Sequence, residues 1–188
     1  TTLMMCLRGS LCLYQGEELG LHEADVPFEA LQDPYGIEFW PEFKGRDGCR
    51  TPMVWTQDNQ NGGFSVAKPW LPTASEHMHM AVATQEDEPG ALLHHYRKAI
   101  AFRHAHRALV VGDHNKMRAR GDVIFFTRSD GDQVIFCAFN VSDTPSDFDM
   151  PAGDWTPIGG ELGSAHVSAD GRLHLGPWQV CLALKTEE

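Results

Sequence analysis

The sequence predicts the closing segment of a parallel β/α structure followed by an antiparallel all-β module. Three observations carry this. Residues 11–14, LCLY, form an isolated apolar run of the kind that is buried on both faces of a sheet. A single helical pattern runs from Glu86 to about His106. Beyond Gly112 the period changes to that of strands, with no helix pattern between successive runs. The change near residue 110 divides the chain into a first part, 1–110, and a β module, 111–188.

Residues 3–8 read as the last turns of a helix that Gly9 stops, and the LCLY strand follows. From Gly16 to about Thr73, Gly, Pro, Asp and Asn occur in nearly every window, so only brief helical turns are expected. A connection this long is uncommon in a compact domain unless it serves a function. Pro89 and Gly90 open the helix, in which Leu92, Leu93, Tyr96, Ile100 and Arg103 recur at helical spacing as one stripe. The strand-like runs are DVIFFTRS, QVIFCAFNVS, DFDM, WTPI, RLHL and WQVCLALK. Ser129-Asp130-Gly131-Asp132 makes the hairpin turn between the first two, with Gly131 supplying the positive φ. The LCLY run is too apolar for an edge and has no partner strand upstream. Either the chain is a piece of a larger polypeptide, or another chain supplies the missing sheet.

Across 188 residues, 42% are hydrophobic, and 26 acidic against 15 basic residues give a net charge of -11. That charge disfavours nucleic acid and anionic membranes as partners and suits a neutral substrate. No stretch approaches the roughly 20 apolar residues of a membrane-spanning helix. Arg8 and Gly9 interrupt the early apolar stretch, which does not resemble a signal peptide. The five cysteines are odd in number, widely spread and without CxxC spacing, which points to free thiols in a reducing, cytoplasmic setting. Cys137 and Cys181 read as core residues; Cys49, between Gly48 and Arg50, lacks an adjacent histidine and is not assigned as a nucleophile. His77, His79, His94 and His95 form no HExxH motif and read as decoration of a loop and a helix, so no metal ligand is assigned.

The run RDGCRTPMVW, residues 46–55, places two arginines in a loop punctuated by Gly and Pro. Guanidinium forks bind carboxylates and vicinal oxygens more selectively than lysine does. The loop therefore either recognises such a group or forms a local ion-pair staple from Arg46, Asp47 and Arg50.

Taken in order, GSLCLYQGEELGL, DPYGIEFWP, GRDGCRTPMVW, GGFS and KPWLP, followed by the helix and the β module, resemble the C-terminal part of the α-glucosidase and oligo-1,6-glucosidase branch of glycoside hydrolase family 13. The resemblance covers residues 1 to about 185. It implies the C-terminal segment of a (β/α)8 barrel, with 11–14 as the eighth strand, 16–85 as the eighth βα loop and 91–106 as the last helix, followed by the β-sandwich called domain C. It also implies hydrolysis with retention by an aspartate nucleophile and a glutamate acid/base, with a second aspartate holding the sugar. Those three carboxylates belong to motifs that precede YQGEE, no NHD motif is present, and the chain alone is expected to be inactive.

By the same resemblance Arg50, on RTPMVW, reaches into the pocket and binds the nonreducing glucose. Arg46 and Asp47 support the loop, residues 33–39 contribute to specificity, and Phe39, Trp40 and Trp55 anchor the loop or shape the pocket mouth. Glu17 and Glu18 support the barrel end, because adjacent carboxylates diverge and cannot face one bond. No cofactor is implied for this chain; the family's calcium would belong to the N-terminal part. The implied partner is the N-terminal remainder with barrel strands 1 to 7, and the implied substrate a small α-glucoside such as maltose, with glucose transfer to alcohols as a second outcome. The alternatives are a sucrose-acting or isomerising relative, a non-catalytic heavy-chain-like transporter subunit, and a free-standing sugar-binding β module.

Overall fold

The computed structural model describes residues 1–163, 165–167 and 171–186. Helices α1 (Thr2–Cys6), α2 (Pro34–Glu38), α3 (Val82–Glu86), α4 (Leu92–Ala105) and α5 (Arg107–Val110) precede all the strands. The strands are β1 (Asp113–Arg120), β2 (Val123–Asp130), β3 (Gln133–Asn140), β4 (Ser146–Asp149), β5 (Trp155–Pro157), β6 (His166–Val167), β7 (Arg172–Leu175) and β8 (Val180–Lys185). Two compact units result, one of Thr1–Leu11 with Arg97–Glu188 and one of Cys12–Tyr96.

In the first unit a five-stranded antiparallel sheet, β1-β2-β3-β8-β5, faces a smaller sheet, β4-β7-β6. The alternation within β3 explains its near-continuous apolar sequence. Phe136 and Ala138, with Val123, Cys181 and Ala183, pack against Phe148, Leu173 and Leu175 of the smaller sheet. Ile135, Cys137 and Phe139, with Phe126 and Leu182, pack instead against Met5, Cys6, Ala99, Ala108 and Leu109. Both faces of the central strands are thus dry, and full burial of each large apolar side chain contributes about 1.5–3 kcal/mol. The β2–β3 hairpin pairs Asp130 with Gln133, and Gly131 takes φ 57° as the turn requires. Cys137 and Cys181 are core residues, and burial pushes the Cys137 thiol well up and the Cys181 thiol up to about 11.

Two strands carry no sequence signal. β1, DHNKMRAR, is a polar edge strand with a bulge between Asn115 and Arg118, where Lys116 sits at φ 50°. β6 is two residues long.

Two buried arginines hold the N-terminal segment. A short helix leaves its last carbonyls without partners. Arg103 donates to the carbonyls of Met5 (2.5 Å), Leu7 (2.8 Å) and Gly9 (2.8 Å). Arg128, fully buried, donates to Cys6 O (2.7 Å), Gly112 O (2.9 Å) and Asp113 O (3.3 Å). The predicted stripe of α4 is accordingly different: Leu93, Tyr96, Ala99 and Arg103 are buried, whereas Leu92 and Ile100 are 38% and 36% exposed. Helix α1 also ends at Cys6, before the predicted residue 8.

The second unit is the long loop. It consists of α2, α3 and 3-10 turns at Glu17–Leu19, Phe28–Ala30, Asp47–Cys49, Gln60–Gly63 and Ser75–Met80, the brief helical turns expected. It has its own small core of Val26, Leu31 and Leu71, with Ala30 and Trp40 against it. Residues 11–14 form no strand, contrary to expectation, and Leu13 and Tyr14 are 37% and 49% exposed. A strand exists through the neighbour that takes its N–H and C=O groups, and among the described residues none pairs with this run.

Candidate functional site

The arginine loop is built on two buried aspartates. Asp33 caps α2, its Oδ1 accepting from Tyr35 N at 3.3 Å, with Pro34 in the first helical position. The same carboxylate takes the fork of Arg46, Nε to Oδ2 at 2.7 Å and an Nη to Oδ1 at 2.9 Å, and also accepts from Arg46 N at 2.9 Å. The Arg46 fork, followed by the backbone donors, holds the Asp33 carboxyl well below the usual carboxylate range, and Asp33 in turn pushes Arg46 up. The guanidinium carbon of Arg46 lies 5.8 Å from the Tyr35 ring centroid.

Asp47 is fully buried, and its Oδ2 accepts from Gln32 N (2.6 Å) and Asp33 N (2.7 Å). Glycines allow the segments of this loop to meet. A Cβ on Gly48 would lie 2.4 Å from Ala24 O, and one on Gly45, itself at φ 78°, 2.9 Å from Gly36 Cα.

This arrangement spends Arg46 and Asp47 on the loop itself, as expected of supports. Arg50 is different. Its nearest carboxylate oxygen is Asp47 Oδ1, 3.9 Å away, and that oxygen accepts no hydrogen bond among the described residues. The Arg50 side chain is 33% exposed, so the loop fixes its backbone and leaves its fork available. Tyr14 Oη braces the same turn by donating to Cys49 O at 3.0 Å, and the Cys49 thiol donates to Arg46 O at 3.0 Å.

The other candidate residues take structural places. Glu18 accepts from Gly16 N at 2.8 Å and so closes its own turn, while Glu17 is exposed. Trp40 anchors the small core; Phe39 and Trp55 are 51% and 50% exposed, with Phe39 stacked on Tyr35. A cleft of about 70 Å³ lies between Tyr14, Glu17, His22, Cys49, Thr51 and His77.

The histidine reading needs one correction. His77 is not surface decoration but is 1% exposed, its Nε2 at 2.8 Å from His22 O, and burial holds its pKa down. His22, Glu76 and His77 lie together. No local spacing could have shown this, since the two histidines are 55 positions apart.

The loop is thus braced by two buried aspartates, and of its two arginines Arg50 has the less committed fork. The chain belongs to the α-amylase family: residues 1–112 match the alpha amylase catalytic domain.

Among individual relatives, it is 49% identical over 177 residues to the "Probable alpha-glucosidase" of Rhizobium meliloti (strain 1021), covering 94% of this chain and 32% of that protein. It is 28% identical to the oligo-1,6-glucosidase of Parageobacillus thermoglucosidasius, over 80% of this chain and 30% of that one. The crystal structure of the α-glucosyl transfer enzyme XgtA superposes with a TM-score of 0.90 at 45% identity, over 98% of this chain and 34% of XgtA. Trehalulose synthase MutB from Pseudomonas mesoacidophila MX-45 shares the fold, with a TM-score of 0.79 at 24% identity, over 98% of this chain and 37% of that one. The chain thus spans about a third of the length of these relatives.

Proposed function

We propose that this chain is the C-terminal part of a retaining, exo-acting α-glucosidase that releases glucose from short α-glucosides such as maltose. The observation that carries the reading is the state of the arginine loop: Arg46 is consumed by Asp33, Asp47 by backbone donors, and Arg50 alone keeps its donors for something else. A fixed guanidinium suits the hydroxyls of a terminal sugar and a neighbouring pocket carboxylate.

In this reading residues 11–14 are the eighth strand of a (β/α)8 barrel whose strands 1 to 7 come from a preceding part of the protein. That part supplies the nucleophile, the acid/base and the second aspartate, so residues 1–188 alone do not hydrolyse glucosides. The role of this chain's residues is binding and orientation. Arg50 fixes the nonreducing glucose, and residues 33–39, braced through Asp33, border the site of the leaving group. The substantial likeness to an α-glucosyl transfer enzyme supports transfer to alcohols as a second outcome of the same glucosyl intermediate.

The test is Arg50→Ala in the full-length protein with maltose. Loss of one charge-assisted hydrogen bond, about 1.5–3 kcal/mol, lowers kcat/KM by roughly 10–100-fold. The melting temperature stays within about 1–2 °C, because the 3.9 Å contact to Asp47 contributes little to the fold. A melting temperature lowered well beyond that range would assign Arg50 to the staple instead, and an unchanged kcat/KM with the fold intact would remove it from sugar binding.

A further inference from the structure

We propose that His22, Glu76 and His77 form a binding site for a divalent transition metal of the zinc class. It is separate from Arg50 and does not depend on the glucosidase reading. One ligand-type atom from each of the three side chains lies within 4.8 Å of the others. A four-coordinate zinc with bonds of about 2.1 Å separates its ligand atoms by roughly 3.4 Å. The site therefore has to contract by at most about 1.4 Å. His22 is exposed and Glu76 half-buried, so both have the rotamer freedom to close that distance around a fixed third ligand.

His77 is that fixed ligand. Its ring is 1% exposed and its Nε2 lies 2.8 Å from the carbonyl oxygen of His22. A carbonyl can only accept, so the proton is on Nε2 and Nδ1 carries a bare lone pair. Nδ1 is buried and has no hydrogen-bond partner among the described residues. Leaving such an atom unpaired is costly. A histidine that donates one ring N–H to a backbone carbonyl while the other nitrogen is presented as a lone pair has the tautomer and orientation of metal-ligating imidazoles.

The carbonyl that orients His77 belongs to His22, so the bond setting one ligand also positions the backbone of the second. The two rings stand edge to face, with centroids 5.0 Å apart and an 86° angle. Glu76 precedes His77 on the same 3-10 turn, and its carboxylate is oriented by the backbone N–H groups of Glu76 and Asp25 and by a long 3.3 Å bond from Ser75 Oγ. Two imidazoles and a carboxylate with a fourth position left for water make a zinc-type donor set, and a bound ion would tie residue 22 to the 75–80 turn.

The test uses the full-length protein, stripped with a chelator and titrated with Zn²⁺ by calorimetry, alongside His22→Ala and His79→Ala. His22 is exposed, so its removal does not endanger the fold. The unmodified protein and His79→Ala are expected to bind one more Zn²⁺ equivalent than His22→Ala, or to bind that equivalent at least about tenfold more tightly. Zn²⁺ is also expected to raise the melting temperature of the first two and not of His22→Ala, whose metal-free melting temperature equals that of the parent. Equal stoichiometry, affinity and thermal response in all three proteins would overturn the site, as would the absence of any Zn²⁺ binding.

Discussion

Replacing Arg128 tests how the β unit holds the start of the chain. The guanidinium is fully buried and its partners are three backbone carbonyls, with good bonds to Cys6 O (2.7 Å) and Gly112 O (2.9 Å) and a longer one to Asp113 O (3.3 Å). In Arg128→Met the side chain keeps most of its length but donates nothing. Two well-bonded buried carbonyls are then orphaned at about 1–3 kcal/mol each. Removing a buried cation also relieves its desolvation, which is the leading cause of the lowered Arg128 pKa and offsets part of this loss. The net expectation is a destabilisation of about 2–4 kcal/mol. Arg128→Lys keeps the charge but not the planar fork, and should recover less than half of it. The assay is urea unfolding of the full-length proteins, comparing midpoints at constant m. An Arg128→Met protein within about 0.5 kcal/mol of the parent would refute the argument that these carbonyls depend on the arginine.

Asp33 has a folded-state pKa far below its ordinary value, so its contribution is present above the unfolded carboxylate pKa of about 4 and is lost as pH falls below it. Asp33→Asn should therefore lower stability at neutral pH and flatten the acid limb of a stability profile below about pH 4; an unchanged limb would contradict the Arg46 fork as its cause. Gly48→Ala puts a Cβ 2.4 Å from Ala24 O, a backbone atom that cannot swing aside, and should cost about 1–3 kcal/mol with a raised KM for maltose. Differential scanning calorimetry and steady-state kinetics on the same preparation check both effects. Cys12 is exposed in this chain, whereas the barrel proposal buries its segment, so alkylation mapped by mass spectrometry should be fast in residues 1–188 and slow in the full-length protein. Equally fast modification in both would count against a barrel strand there.

The β module was legible where side chains alternate within a short distance. QVIFCAFNVS and its turn at Gly131 carry their own register, and β3 and the hairpin follow from it. β1 was not legible, because a polar edge strand buries little and its pairing is decided by β2 rather than by its own residues. The LCLY run shows the opposite limit: its composition asks for a sheet, yet backbone pairing is a property of two segments. In the arginine loop the residues worth naming were visible as a motif, and their partners were not. The staple suggested among Arg46, Asp47 and Arg50 is instead a fork between Arg46 and Asp33, 13 positions upstream, with Asp47 turned onto backbone N–H groups. The His22 and His77 pair lies beyond sequence reading for the same reason, since a 55-residue separation leaves no periodicity to detect.

The bond from Arg128 to Cys6 O joins residues 122 positions apart, and it bears on the order of events during synthesis. Residues 1–11 leave the ribosome long before the arginines and strands that satisfy their carbonyls have been made. At about 5–20 residues per second, that segment waits on the order of 6–24 seconds before it can settle. A stop codon placed after α5 would spare every residue of the arginine loop, yet it would deprive the beginning of the chain of Arg128 and the β2–β3 core against which Met5 and Cys6 pack. Damage to β2 and β3 would be felt at residues 1–11, far upstream of them.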